Sequence, residues 1–131
     1  MSEKNKIIQK LPPSHDRLVS ECFLWFHNTY PEHRKKLFHV ANETPKMKGE
    51  SYKEHQIRLA KRKAIGVVPG VMDLLWYTRG RLVAFDIKID GDSISEEQAA
   101  FGEAIIKEGG QWYEIRGLEQ FKEIVFLVLK G

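Results

Sequence analysis

Asp86 and Lys88 alternate with Phe85, Ile87 and Ile89 in the run Leu82–Ile89. A period of two puts both charges on one face of a β-strand and the apolar side chains on the other. Opposite charges on a strand inside a sheet are costly to bury and need a reason. Asp73 stands near the start of a second β-prone run, Val71–Tyr77, on the face shared by Leu75 and Tyr77. Thr78-Arg79-Gly80-Arg81 between the runs is a hairpin turn signal. Pairing through that turn would bring Asp73 beside Asp86 at the open end of the hairpin. Neighbouring carboxylates repel, and one retains its proton unless a cation joins them. A hard divalent ion with oxygen ligands, Mg²⁺ or Mn²⁺, answers that need. Lys88 on the same face can reach a phosphate or orient a water. Such a set can hydrolyse a phosphodiester, because the ion lowers the pKa of the attacking water and neutralises the developing charge. Asp-Ile-Lys alone reads equally as a surface ion pair on a half-exposed strand. The fuller constellation is more specific: a Gly-rich turn, Asp73, a hairpin, Asp86-Ile87-Lys88, then a helix with Gln98 in its first turn.

These residues need elements to position them. Ser14 can cap a helix running to about Thr29 and ended by Pro31, with an apolar stripe of Leu18, Cys22 and Trp25 widened by Val19, Phe23 and Phe26. Glu21 sits at the edge of that stripe. Leu37–Asn42 reads as a short strand, 43–50 as loop, and Ser51–Ala64 as a helix. Gly66-Val67-Val68-Pro69-Gly70 is a rigid turn that leads into the hairpin. Ser95 starts a helix to about Glu108, stopped by Gly109-Gly110. Ser95-Glu96-Glu97-Gln98 is also a capping box, so Gln98 can serve the helix, the site or both. Gln111–Arg116 is a strand and Leu118–Glu123 a short helix. Ile124–Leu129, apolar throughout, is expected as a last, buried strand. The order predicts an α/β sandwich with a mixed sheet of about four strands flanked by helices. Residues 1–13 are expected to be a flexible N-terminal segment ahead of a single domain over 14–131.

The 131 residues suffice for one hydrophobic core without covalent staples. No stretch approaches the roughly 18 apolar residues of a membrane span. The opening residues hold no apolar secretory region, so a cytoplasmic protein with no membrane partner is expected. The lone cysteine, Cys22, excludes an internal disulfide and a cysteine-based zinc cluster, and its apolar neighbours make it core. His15, His27, His33, His39 and His55 are dispersed without zinc spacing and read as surface or packing residues, with His39 able to face a cleft. Net charge is +3, which permits a polyanionic partner without demanding one. The excess is local: Lys46, Lys48, Lys53, Arg58, Lys61, Arg62 and Lys63 face only Glu50 and Glu54 across Lys46–Lys63. By itself that run is a solvated loop and helix face.

Gly66–Leu75, Phe85-Asp86-Ile87-Lys88 and Ile94-Ser95-Glu96-Glu97-Gln98 together resemble the PD-(D/E)xK nuclease superfamily, and within it the VRR-NUC (virus-type replication-repair nuclease) family. The resemblance covers roughly Glu21 to Tyr113. It departs at Met72, where the family often has Pro, and at Asp86, where Glu is commoner; neither change removes a ligand. The resemblance implies a restriction-endonuclease-like sandwich. It implies that Asp73, Asp86 and the Ile87 backbone carbonyl ligate Mg²⁺ or Mn²⁺, that Lys88 is the catalytic lysine, and that Gln98 supports the site. It implies that Glu21 is the first-helix acid acting on the metal through water, and that Asn42, with Glu43, belongs to a segment near DNA. Beside such a site the basic run becomes a clamp on the DNA backbone, with Arg58, Lys61 and Lys63 as its contacts. Small stand-alone members of the family, bacterial or phage enzymes, are similar to Holliday-junction resolvases. For this chain the resemblance therefore implies a homodimeric endonuclease on branched DNA. A non-catalytic DNA-binding module on the same fold, and a nuclease for linear or flap DNA, are the alternatives.

Overall fold

The computed structural model describes residues 14–41 and 44–131. Its elements are α1 (His15–Thr29), a 3₁₀ turn (Pro31–His33), β1 (Leu37–His39), α2 (Tyr52–Ala64), β2 (Leu74–Thr78), β3 (Arg81–Ile87), α3 (Glu96–Lys107), β4 (Gln111–Ile115) and α4 (Leu118–Lys130). The expected flexible segment 1–13 and the DNA contact Asn42 lie outside the described residues.

The hairpin forms as the turn residues require. Thr78 pairs with Arg81, and Arg79 and Gly80 between them both take positive φ, 53° and 74°. Left-handed backbone at both loop positions matches the twist of the flanking strands. The same register sets Leu74 opposite Phe85, so the next residues outward, Asp73 and Asp86, face each other at the open end. β1 adds antiparallel to β2, and β4 adds parallel to β3 after the α3 crossover, giving the order β1-β2-β3-β4. The expected mixed, four-stranded α/β sandwich is what the chain forms.

Alternation then sorts the side chains. Leu74, Trp76, Val83, Phe85, Ile87 and Ile115 pack on one face against Cys22 and Phe26 of α1 and Phe121, Val125 and Val128 of α4. Each such fully buried side chain contributes roughly 1.5–3 kcal/mol. Burial also pushes the Cys22 thiol up to about 12, with the Glu21 charge adding to it, which suits an inert core residue. The opposite face, which carries Asp86, is covered as well: Met72, Leu75 and Ala84 meet Ile105 of α3. Asp86 is therefore completely buried rather than half-exposed.

The last segment departs from expectation. Ile124–Leu129 is no strand but the second half of α4. A continuous apolar run has no period of its own and suits either element. Packing decides, because Phe121, Val125 and Val128 recur at helical spacing and all reach the core. Phe126 and Leu127, also apolar, point outward at 59% and 63% exposure. Arg79 from the hairpin loop donates to the carbonyls of Val128 and Leu129, groups that a helix end leaves without internal partners. No helix among the described residues is long and apolar enough to cross a membrane.

Candidate active site

The ladder of β2 and β3 stops just short of the charged residues. Asp73 precedes the first residue of β2 and Lys88 follows the last residue of β3. Both remain tied to the sheet. The Ile87 amide donates to Asp73 Oδ2 at 2.7 Å, and the Lys88 amide donates to the Ile115 carbonyl at 2.8 Å.

Asp86 is the centre of the polar contacts. Its Oδ1 accepts from Gln98 Nε2 at 2.9 Å and lies 3.4 Å from Lys88 Nζ. Its Oδ2 is buried and has no hydrogen-bond partner among the described residues. Burial raises the Asp86 pKa to about 6; Lys88 opposes the rise and Asp73 reinforces it. Lys88 is only 12% exposed in its side chain, and its Nζ also donates to Gln98 Oε1 at 2.9 Å. Gln98 makes the expected cap and also reaches both charged residues. Its Oε1 accepts from the Ser95 amide at 3.1 Å while its own amide donates to Ser95 Oγ at 3.1 Å, closing the capping box. The same side chain bridges Lys88 and Asp86. The turn before β2 is pressed onto this helix start: a Cβ at Gly70, whose φ is +84°, would meet the Glu97 backbone at 2.4 Å. Pro69, Gly70, Val71 and Asp73 thus line one depression with Ser95, Glu97 and Gln98.

Two histidines join Asp73. His15 Nε2 lies 3.0 Å from Asp73 Oδ1, and His39 Nδ1 donates to the Asp73 carbonyl at 2.6 Å. Burial alone would lower the His15 pKa; the charge and hydrogen bond of Asp73, with Asp16 behind them, outweigh it and raise the value. His39 is exposed at the end of its strand and reaches only the main chain of Asp73. His15 was expected at the surface or in packing. Its signal is helical: His15, Cys22 and Phe26 are spaced by seven and four, so they share one face of α1. Cys22 and Phe26 are buried against the sheet, which carries His15 to the open end of the hairpin.

Glu21, expected as the first-helix acid, is turned about 100° from that stripe. It pairs with Arg17 at 3.2 Å and lines a different depression with Ser14, Leu18, Ile89, Asp90 and Arg116. Among the described residues no third His, Cys, Asp or Glu joins Asp73 and Asp86 in a metal-holding group. The pair still fits a hard divalent cation. An Mg²⁺-type ion takes one or two protein carboxylates and completes its shell with water and substrate oxygens. The partnerless, buried Oδ2 of Asp86 is the atom that such an ion would satisfy.

The basic cluster divides. Arg58 is occupied at home: Nε and Nη2 bond Glu50 at 2.9 and 3.0 Å, and Nη2 also bonds the Pro45 carbonyl. The hydrogen bond from Arg58 holds the Glu50 carboxyl down at about 2. Arg58 therefore ties the 44–50 loop to α2. Lys61 and Lys63 are exposed on the same helix, none of whose residues is buried.

No family model matches the chain, and no curated protein sequence matches it. Among solved structures it is similar to one described as a VRR_NUC domain protein, with a TM-score of 0.70 and 19% sequence identity over 92% of this chain and 91% of the other. At that identity the likeness is one of fold. That fold is the one the sequence motifs led one to expect.

Proposed function

We propose that this chain is a divalent-metal-dependent deoxyribonuclease whose site is Asp73, Asp86, Lys88 and Gln98. The observation that carries the reading is Asp86: a fully buried carboxylate, opposite a second one, with an oxygen that no group among the described residues satisfies. A structural ion pair with Lys88 alone would not leave that oxygen bare. A divalent cation held by Asp73 and Asp86, with the Ile87 carbonyl as a further donor, would neutralise charge on the scissile phosphate and lower the pKa of a water. The chain's own residues prepare the rest. Asp86, whose pKa is about 6, is largely ionised near neutral pH and can take up a cation there. Lys88 is held between Gln98 Oε1 and Asp86 Oδ1, so its ammonium is placed before substrate arrives. From that position it can stabilise negative charge building on the phosphate oxygens. Gln98 keeps Lys88 and Asp86 in one geometry and is itself fixed by the helix cap.

We assign branched DNA as the substrate and a homodimer as the working form. A four-way junction presents two symmetry-related scissile phosphates, which a two-fold dimer can engage together. Lys61 and Lys63 on α2 are the assigned backbone contacts. The experiment compares cleavage of a labelled four-way junction, a flap, a linear duplex and a single strand in Mg²⁺, Mn²⁺ or chelator. Metal-dependent cutting with the junction preferred is the expected result. Preference for the flap or linear duplex would keep the nuclease and remove the junction assignment. Tight junction binding with no cutting in either metal would replace the enzyme with a binding module.

A further inference from the structure

Asp73 is held from three elements at once. The β3 backbone reaches its Oδ2 through the Ile87 amide, β1 reaches its carbonyl through His39, and α1 reaches its Oδ1 through His15. The first two contacts recruit the strand backbone and a main-chain oxygen. The third is a side chain meeting the carboxylate itself. The start of α1 is fixed by its Ser14 cap, whose Oγ accepts from the Arg17 amide at 3.2 Å, and the helix is seated by Cys22 and Phe26 on the same face. His15 therefore meets Asp73 from a rigid element, while its side chain stays 35% exposed toward solvent. A carboxylate can only accept, so the Nε2 atom carries the hydrogen.

We propose that His15 is the positioning residue for Asp73: its Nε2–H fixes Oδ1 while the Ile87 amide fixes Oδ2, so the plane of the carboxylate is set before a cation binds. The inference rests on the metal-site reading above. It gives α1 a role in the site through an imidazole, where a glutamate six residues further along had been expected. Partners that orient a ligating carboxylate are worth roughly 10- to 100-fold in metal affinity. Free rotation of Asp73 about its side-chain bonds would otherwise have to be lost when the ion arrives.

The test uses the full-length protein and Mn²⁺ alone, without DNA, followed by electron paramagnetic resonance. His15→Ala should raise the Mn²⁺ Kd about tenfold or more, and His15→Gln, which keeps a donor on a side chain of similar reach, should recover most of it. Equal or tighter Mn²⁺ binding by His15→Ala would overturn the proposal. A second readout needs no metal: in chelator, the Ile87 amide should exchange its hydrogen faster in His15→Ala than in wild type or His15→Gln. Unchanged Ile87 exchange in His15→Ala would also overturn it. Absence of Mn²⁺ binding by the wild type would instead retire the metal reading, leaving the Ile87 amide to decide for or against His15.

Discussion

At the scale of the residue, Asp86 sets the behaviour of the site. Its pKa of about 6 in the folded chain stands above the roughly 3.9 of an unfolded aspartate. Between those values the folded state holds more protons than the unfolded one, so without metal stability falls as pH rises from about 4 to about 6. Asp86→Asn, which carries no charge, should flatten that window and match or exceed the wild type at pH 7 in chelator, by about 1–3 kcal/mol. Chemical unfolding across pH 4–8 measures it. A wild type that gains stability through the same window as pH rises would contradict the burial argument. Asp73, Asp86 and Lys88 were legible from the chain because strand alternation and a two-residue turn convert sequence spacing into spatial neighbours, whereas Gln98 came from the family resemblance. His15 was not legible, since its meeting with Asp73 depends on where α1 lands on the sheet. Its helical spacing from Cys22 and Phe26 was visible, but nothing in that spacing names the residue at the far end.

At the scale of the element, α3 is where cap and site share one side chain. Ser95 bonds Gln98 and closes the helix cap, whereas Gln98 bonds both the cap and the Asp86–Lys88 pair. The two roles separate by mutation. Ser95→Ala should cost about 1 kcal/mol of stability and lower cleavage less than Gln98→Ala does. Gln98→Ala should cost a similar amount and lower the cleavage rate by roughly 10- to 100-fold as well. Thermal unfolding and single-turnover cleavage, run on both variants, check this. Equal rates for the two would reduce Gln98 to a cap. α4 shows where element-level reading fails. The apolar run Ile124–Leu129 carries no polar residue to reveal a period, and only its packing into the core cluster that holds Phe85 and Ile115 distinguishes helix from strand. Conversely, the Ser14 and Ser95 caps stand where their side chains and spacing announced them.

At the scale of the whole molecule, positive charge is less available than composition implies. Arg58 spends its guanidinium on Glu50 and Pro45, a local pairing that a count of cations cannot reveal. Arg62 likewise donates to the Ala41 carbonyl at 3.2 Å. Lys61 and Lys63 remain exposed on a helix that buries nothing. Replacing either lysine by Ala should weaken binding to any DNA sequence alike and reduce the slope of log affinity against log salt by about 1. Arg58→Ala should instead loosen the 44–50 loop with a smaller change in that slope. Fluorescence anisotropy over a salt series distinguishes them. An unchanged slope for the Lys61→Ala, Lys63→Ala double variant would move the DNA path to another face.

Buried Asp86, part-buried Asp73 and Lys88 are together proposed to form a metal-dependent phosphodiesterase. The most direct measurement is single-turnover cleavage of a labelled four-way junction in Mn²⁺, with wild type, Asp86→Asn and Lys88→Ala at equal folded concentration. The account predicts cutting by the wild type that chelator stops, and loss of at least about a hundredfold in each variant. Wild-type cutting that survives in Asp86→Asn, or that proceeds unchanged in chelator, would contradict it.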